Sequence, residues 1–199
     1  MFTGIIKKLG KIKRIKKSGN GMSLTIAIKN FDESLAQGAS IAINGICLTV
    51  INYSKDVLTV DAVKDTLERT NLPSLRVNNI VNTELPLKLN SRLDGHILEG
   101  HIDGVGKIIS INRAGTQREV KVRVPGNLVK YIVENGSIGI DGISLTVKAI
   151  KNDTVSFTLI PLSFKETNFK TRRVGDKVNI EVDRIAKYVE KYLQKNISN

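Results

Sequence analysis

The chain of 199 residues has one cysteine, Cys47, no tryptophan, four prolines and two histidines. A lone thiol excludes an internal disulfide and fits a reducing compartment, so the expected location is cytoplasmic. Aromatic residues make up only 5% of the chain, which leaves few platforms for stacking single-stranded bases. No apolar run approaches the roughly 18 residues of a membrane helix, so no membrane association is expected. The segment from Met1 to Lys8 lacks a basic start followed by a long apolar stretch, which argues against a secretory leader. Acidic residues are few beside basic ones, 19 against 31, for a formal net charge of +12. That balance admits a polyanion partner. The basic residues are spread out, however, and the densest run, Lys7 to Lys17, is interleaved with Ile6, Leu9, Ile12 and Ile15. Without a helix-turn-helix, zinc-finger or RNP signature, a lysine-rich solvated surface is expected and no nucleic-acid partner.

What the chain does have is a repeat. Ala39-Ser40-Ile41-Ala42-Ile43-Asn44-Gly45-Ile46-Cys47-Leu48-Thr49-Val50 returns as Gly136-Ser137-Ile138-Gly139-Ile140-Asp141-Gly142-Ile143-Ser144-Leu145-Thr146-Val147, with eight of twelve positions identical at an offset of 97. Average usage gives about one identity by chance. The match extends outward. Thr3-Gly4-Ile5-Ile6 answers Glu99-Gly100-His101-Ile102, Thr70-Asn71 answers Thr167-Asn168, and Val81-Asn82 with Glu84 answers Val178-Asn179 with Glu181. A period this long means two copies of a small domain, expected over 1–87 and 97–183, with a polar linker at 88–95.

Within each copy the dominant period is two. Ser23–Ile28, Val120–Val124 and Val178–Val182 alternate as half-buried strands do. Glycine-rich turns separate them at short intervals. About six short strands per copy argue an all-β fold of closed antiparallel barrels, because closure removes exposed edges. Asp32–Gln37 and Asn127–Glu134 are short helical candidates. The tail breaks the pattern. Ile185, Tyr188, Val189, Tyr192 and Leu193 form one apolar helical stripe in a segment, 184–199, that copy one lacks. That stripe must dock on a barrel or form an oligomer interface.

Several motifs are candidates for chemistry. Gly100 to Ile108 resembles a phosphate loop but has one residue too many, and Ile108 stands where a hydroxyl is required. His96 and His101 lie near Asp94, Glu99 and Asp103, yet their spacing fits no standard zinc pattern and no metal is expected. His101 is the better candidate for a proton carrier, since its counterpart in copy one is Ile5 and the duplicated fold does not require a histidine there. Cys47 and Thr49 share one strand face, as do Ser144 and Thr146. Polar groups on one barrel face cost desolvation unless a polar ligand bonds them. Gly45 and Gly142 are expected to let the backbone approach that ligand.

At these residues the sequence resembles the riboflavin synthase family of the alpha-chain type. The resemblance covers essentially the whole chain. It is carried by Met1-Phe2-Thr3-Gly4-Ile5, the paired Asn44–Val50 and Asp141–Val147 motifs, Thr66–Leu72, and Glu99–Gly104. It implies two six-stranded Greek-key barrels and a C-terminal helix that joins three chains. It also implies the reaction, in which two molecules of 6,7-dimethyl-8-ribityllumazine exchange a four-carbon unit to give riboflavin and a ribitylamino-pyrimidinedione, without an external cofactor. The family's site lies between the N-barrel of one chain and the C-barrel of a neighbour. Carried over by motif, Phe2, Ser40, Cys47, Thr49 and His101 belong to the N-barrel half-site, and Lys130, Asp141, Ser144, Thr146, Ile160 and Asp183 to the C-barrel half-site. Gly4, Ile5, Gly45 and Gly142 are further expected substrate contacts. His101, Cys47, Ser40, Ser144 and Asp183 are the expected catalytic groups, and lumazine synthase is an expected partner. One departure is Lys165, where the family often keeps an acidic residue. The competing reading is a lumazine-binding or flavin-binding protein of the same superfamily, which holds a chromophore without converting it. A binder needs one good pocket and dismutation needs two, so the intact second motif favours the enzyme.

Overall fold

A computed structural model describes residues 1–31 and 35–197, with side chains through Gln194. Six strands make the first barrel: β1 (Lys8–Ser18), β2 (Gly21–Ile28), β3 (Ser40–Ile43), β4 (Ile46–Ser54), β5 (Val57–Ala62) and β6 (Ile80–Glu84). Six more make the second: β7 (Gly104–Ala114), β8 (Gln117–Arg123), β9 (Ser137–Ile140), β10 (Ile143–Lys151), β11 (Thr154–Leu159) and β12 (Lys177–Val182). Around the first barrel the order is β1-β2-β5-β4-β3-β6, and around the second β7-β8-β11-β10-β9-β12, which is the same Greek key advanced by six strands. Every pairing is antiparallel. Both barrels carry register shifts at matching places, at Ile12/Arg14 and Ile108/Ser110 and again at Val50/Asn52 and Val147/Ala149. Such bulges sharpen twist and let a short sheet close.

Alternation does what the sequence promised. In β2 every second residue is buried, ending with Met22, Leu24, Ile26 and Ile28 inside. Each barrel therefore fills its own core, one around Leu24, Ile26, Val60 and Val81, the other around Val120, Phe157, Phe169 and Ile180. Two one-and-a-half-turn helices, α1 (Lys64–Arg69) and α2 (Pro161–Glu166), occupy equivalent positions after β5 and β11. Neither was expected from periodicity, because six residues are too short to show a stripe. The helix expected over Asn127–Glu134 is a 3-10 helix at Gly126–Tyr131. Of the helix expected over Asp32–Gln37, residues 32–34 lie outside the described residues, and Leu35–Gln37 are not helical. The chain ends in α3 (Arg184–Ile197), whose first turn is capped by the Asp183 carboxylate accepting from Ile185 N at 2.8 Å.

The two barrels are joined about an approximate twofold relation. Gly45 and Gly142 meet back to back, each with positive φ, and a Cβ on either would lie 2.6 Å from the other's backbone. Around them sits a buried polar ring. Asn71 N donates to Asn179 Oδ1 and Asn168 N to Asn82 Oδ1, both at 2.7 Å. Asn82 Nδ2 donates to the Asp141 carbonyl and Asn179 Nδ2 to the Asn44 carbonyl, both at 2.9 Å. Each bond of this kind contributes only about 1 kcal/mol net, but leaving one partner unpaired in the seam costs more. The ring therefore specifies how the copies meet.

Candidate functional site

Each barrel exposes one polar strip on its outer face, because the residues between the core positions of β3–β4 and β9–β10 point outward. In barrel one, Ser40 and Thr49 face each other across β3–β4 and are both exposed, and Cys47 is half-buried one step along. In barrel two, Ser137 faces Thr146, and Ser144 takes the place of Cys47. The alternation expected for Cys47/Thr49 and Ser144/Thr146 is present in both strands.

The wall beside each strip comes from the other copy. Residues 1–6 run across to barrel two, where the Gly4 carbonyl accepts from Ser144 N at 2.9 Å. Residues 97–103 run across to barrel one, where the Gly100 carbonyl accepts from Cys47 N at 2.9 Å. The two straps touch each other as they cross, through a Phe2–Leu98 bridge with N–H···O distances of 2.7 and 3.1 Å. Only glycine serves at the touching points. A Cβ on Gly4 would lie 2.5 Å from Ser144 N, and one on Gly100 would lie 2.6 Å from the Cys47 Cβ. Each strap is anchored on its own barrel by a buried glutamate at the end of the last strand. Glu84 accepts from Thr3 N at 2.6 Å and Gly4 N at 3.0 Å, and Glu181 from Glu99 N at 2.6 Å and Gly100 N at 3.1 Å.

Barrel one thus presents an open cavity of about 400 Å³, lined by Cys47, Thr66, Arg69, Gly100, His101 and Ile102 among others. His101 stands at its mouth with a side chain 74% exposed, 3.7 Å from a Glu99 carboxylate oxygen. Barrel two brings a different pair of side chains together: the Ser144 hydroxyl lies 2.6 Å from His96 Nδ1. Burial pushes the His96 imidazole below the usual histidine range, with the Asp183 charge acting in the opposite direction. With Nδ1 unprotonated, an imidazole at that distance accepts a hydrogen bond from the hydroxyl. From the sequence alone, His96 is a candidate only for metal ligation. The signal for it was its place immediately before the strap, next to Ser144 only once the strap crosses. Among the described residues no cluster of His, Cys, Asp or Glu could hold a metal ion.

The structure redistributes several expected site residues. Gly45 and Gly142 admit each other's backbone, not a ligand's, because both are sealed in the seam. Asp141 is 0% exposed, and its carboxylate is occupied by Asn71 Nδ2, Asn168 Nδ2, Asn179 N and the Arg172 guanidinium. Phe2 is 2% exposed and packs with Ala42 and Leu98 beneath Cys47, so it supports that residue from behind. Lys130 reaches away to α3, where it pairs with Glu190. Ile5 and Ile160 remain on the surface of barrel two, at 37% and 49% exposure. Asp183 caps α3 and acts on His96 through its charge. The Lys165 departure has a local reason. In copy one Glu68 pairs with Lys64 at 3.6 Å on α1, whereas Pro161 replaces that lysine on α2, so Lys165 meets no like charge there.

A duplicated Greek-key barrel with a polar strip and a crossing strap in each half defines a class, and sequence comparison gives it a name. The family described as "Lumazine binding domain" matches residues 3–86 and again 99–183. Among curated proteins, the riboflavin synthase of Actinobacillus pleuropneumoniae is 42% identical over 98% of this chain and 91% of its own length. That of Bacillus subtilis is 41% identical over 100% and 93%, and that of Mycobacterium tuberculosis 38% over 98% and 98%. Among solved structures, LumP complexed with riboflavin superposes with a TM-score of 0.87 at 30% identity, covering 92% of this chain and 100% of that one. LumP complexed with 6,7-dimethyl-8-(1'-D-ribityl) lumazine gives 0.84 at 29% with the same coverage. The chain belongs to the riboflavin synthase family.

Proposed function

We propose that the protein is a riboflavin synthase that dismutes two molecules of 6,7-dimethyl-8-ribityllumazine into riboflavin and 5-amino-6-ribitylamino-pyrimidinedione. The atoms balance between the two identical substrates, so the four-carbon transfer is redox-neutral. One ring must lose a methyl proton and the other must accept a nucleophile, and both must be held face to face. The observation that carries this reading is that both halves retain reacting groups at equivalent positions, with Ser144 bonded to His96 at 2.6 Å in one and Cys47 walled by the His101 strap in the other. A binding protein needs one such pocket. In this reading His96 moves a proton to and from the Ser144 hydroxyl. His101 serves the ring bound at barrel one, where Ser40, Cys47 and Thr49 supply polar contacts. Gly4, Ile5, Thr146 and Ile160 line the barrel-two side.

The working unit is a homotrimer, with barrel one of one chain facing barrel two of the next. The support is α3. Its ties to its own chain are polar, through Glu190 to Lys130 and Lys187 to Asp103, and its apolar stripe stays 52–73% exposed at Ile185, Tyr188, Val189, Tyr192 and Leu193. That exposure supports burial of the stripe against another chain. No helix among the described residues is long and apolar enough to cross a membrane. A cytoplasmic location follows from the cysteine usage, and an association with lumazine synthase from the family resemblance.

The test is to incubate the purified protein with 6,7-dimethyl-8-ribityllumazine and no added cofactor, and to separate the products. Riboflavin and the pyrimidinedione in equal amounts are expected. Ligand that binds but is recovered unchanged would instead assign the protein to the binding branch that LumP exemplifies.

A further inference from the structure

The strap that walls barrel one is held from beneath by Glu181. The path from that carboxylate to the reacting groups is one residue of backbone. Glu181 accepts from Glu99 N and Gly100 N, the Gly100 carbonyl accepts from Cys47 N, and His101 is the next residue. Two outer ties from α3 hold the same strap, Arg184 to the Glu99 carboxylate and Lys187 Nζ to Asp103 Oδ1 at 2.6 Å. Among the described residues, strap one has no such helix. Its glutamate, Glu84, takes a third bond from the Thr3 hydroxyl at 2.7 Å instead.

We infer that Glu181 is a positioning residue for the barrel-one pocket: its ionised carboxylate sets the Glu99–Gly100 backbone, and through it Cys47 and His101. The inference rests on the riboflavin synthase reading and assigns a role to a residue buried behind the strap. An ionised carboxylate is acceptor-only and satisfies two N–H groups at once. Protonated, one oxygen carries a hydrogen and accepts only weakly from its backbone N–H, so the grip falls from two charge-assisted bonds to one neutral bond and a weaker one. Burial raises Glu181 from the usual 4.5 to about 7, with Asp103 reinforcing and the Glu99 and Gly100 N–H groups and Lys187 opposing. The other charged groups around the strap are Glu99, Arg184 and His101, and strand β9 faces Glu181 with the uncharged Gly139. The grip therefore loosens as pH falls through neutrality.

Glu181→Gln reproduces the protonated shape, and Glu84→Gln is its counterpart on the other strap. Turnover of 6,7-dimethyl-8-ribityllumazine and backbone amide exchange without ligand are measured for both variants and the wild type between about pH 6 and pH 8.5. Wild-type kcat is expected to rise through about pH 7. Glu181→Gln is expected to lack that limb and to sit about tenfold lower at high pH, with KM changed less, a milder loss than the roughly 100-fold cost of a 1 Å misplacement. Its amide exchange should quicken at residues 97–103 and at Cys47 but not at residues 1–6, and Glu84→Gln should do the reverse. A wild-type pH profile in Glu181→Gln overturns the inference, as does faster exchange with no change in kcat. Absence of turnover in the wild type would count against the riboflavin synthase reading alone. The exchange arm then decides: strap loosening through pH 7 in the wild type but not in Glu181→Gln sustains the inference, and equal exchange overturns it.

Discussion

The two barrels share a topology, a bulge pattern and a strap, yet they differ at the seam and at the site. At the seam, copy one places Asn44 beside a core in which Leu75 is buried, while copy two places Asp141 against Arg172 at the corresponding positions. The charge and its counter-charge arrive together in one copy and are absent together from the other. At the site, copy one offers a thiol and an exposed histidine, and copy two a hydroxyl bonded to a half-buried histidine. Identity between copies marks what the fold needs to close and pair. Under the proposed function, difference between them marks where two identical substrate molecules would receive unlike treatment.

The largest expected effect breaks the identity. Gly142→Ala puts a Cβ 2.6 Å from Gly45 backbone at a φ of +77, and is expected to cost about 4 kcal/mol or more in denaturant unfolding. A loss under about 1 kcal/mol would mean the seam can open without harm. Next comes the charged pair. Arg172→Leu leaves the Asp141 carboxylate buried without its counter-ion and is expected to cost about 3–5 kcal/mol. Adding Asp141→Asn rebuilds the copy-one arrangement and should recover at least about 2 kcal/mol of that loss. Additive costs in the double variant would refute the pairing of the two differences.

At the site, Ser144→Ala and His96→Gln are each expected to lower kcat by about 10²–10³-fold without loss of stability. Cys47→Ser and His101→Gln should lower it by about 10–10²-fold. Full turnover in both of the latter variants would leave barrel one as a binding surface only. The smallest effect concerns stability against pH. Glu181 is raised in the folded chain, so between pH 4.5 and about 7 the folded state holds a proton that the unfolded state has released. Stability from this group is present below that window and is lost as pH rises through it, at about 1 kcal/mol per pH unit. Glu181→Gln should flatten that slope in thermal melts.

Most of the fold was legible in the sequence, because alternation and repetition are local patterns. The duplication, the closed barrels and the helical tail all follow from residues that can be read in windows of about ten. The helices α1 and α2 were too short to carry a period. The site was legible only in part, for a physical reason. The glycine repeated before β4 and β10 is expected from the sequence to be a ligand cradle, but two glycines that admit a backbone do not say whose backbone it is. Here it is each other's. The contacts of His96 and Glu181 are not legible in the sequence because both are long-range, to residues 48 and 82 positions away respectively. The paired acids Glu84 and Glu181 were visible as a repeat identity, and their meaning required knowing that the straps exchange.

The central claim is that the duplication supplies two unlike half-sites that work as one site between chains. Complementation tests it most directly. A chain carrying Cys47→Ala and His101→Gln is inactive at barrel one, and a chain carrying Ser144→Ala and His96→Gln is inactive at barrel two. Each alone should convert 6,7-dimethyl-8-ribityllumazine poorly. Unfolded together and refolded as mixed oligomers, they should recover about a quarter of the wild-type rate, the chance that an intact barrel one meets an intact barrel two across a chain interface. No recovery in the mixture would place the whole reaction within one chain and contradict the account.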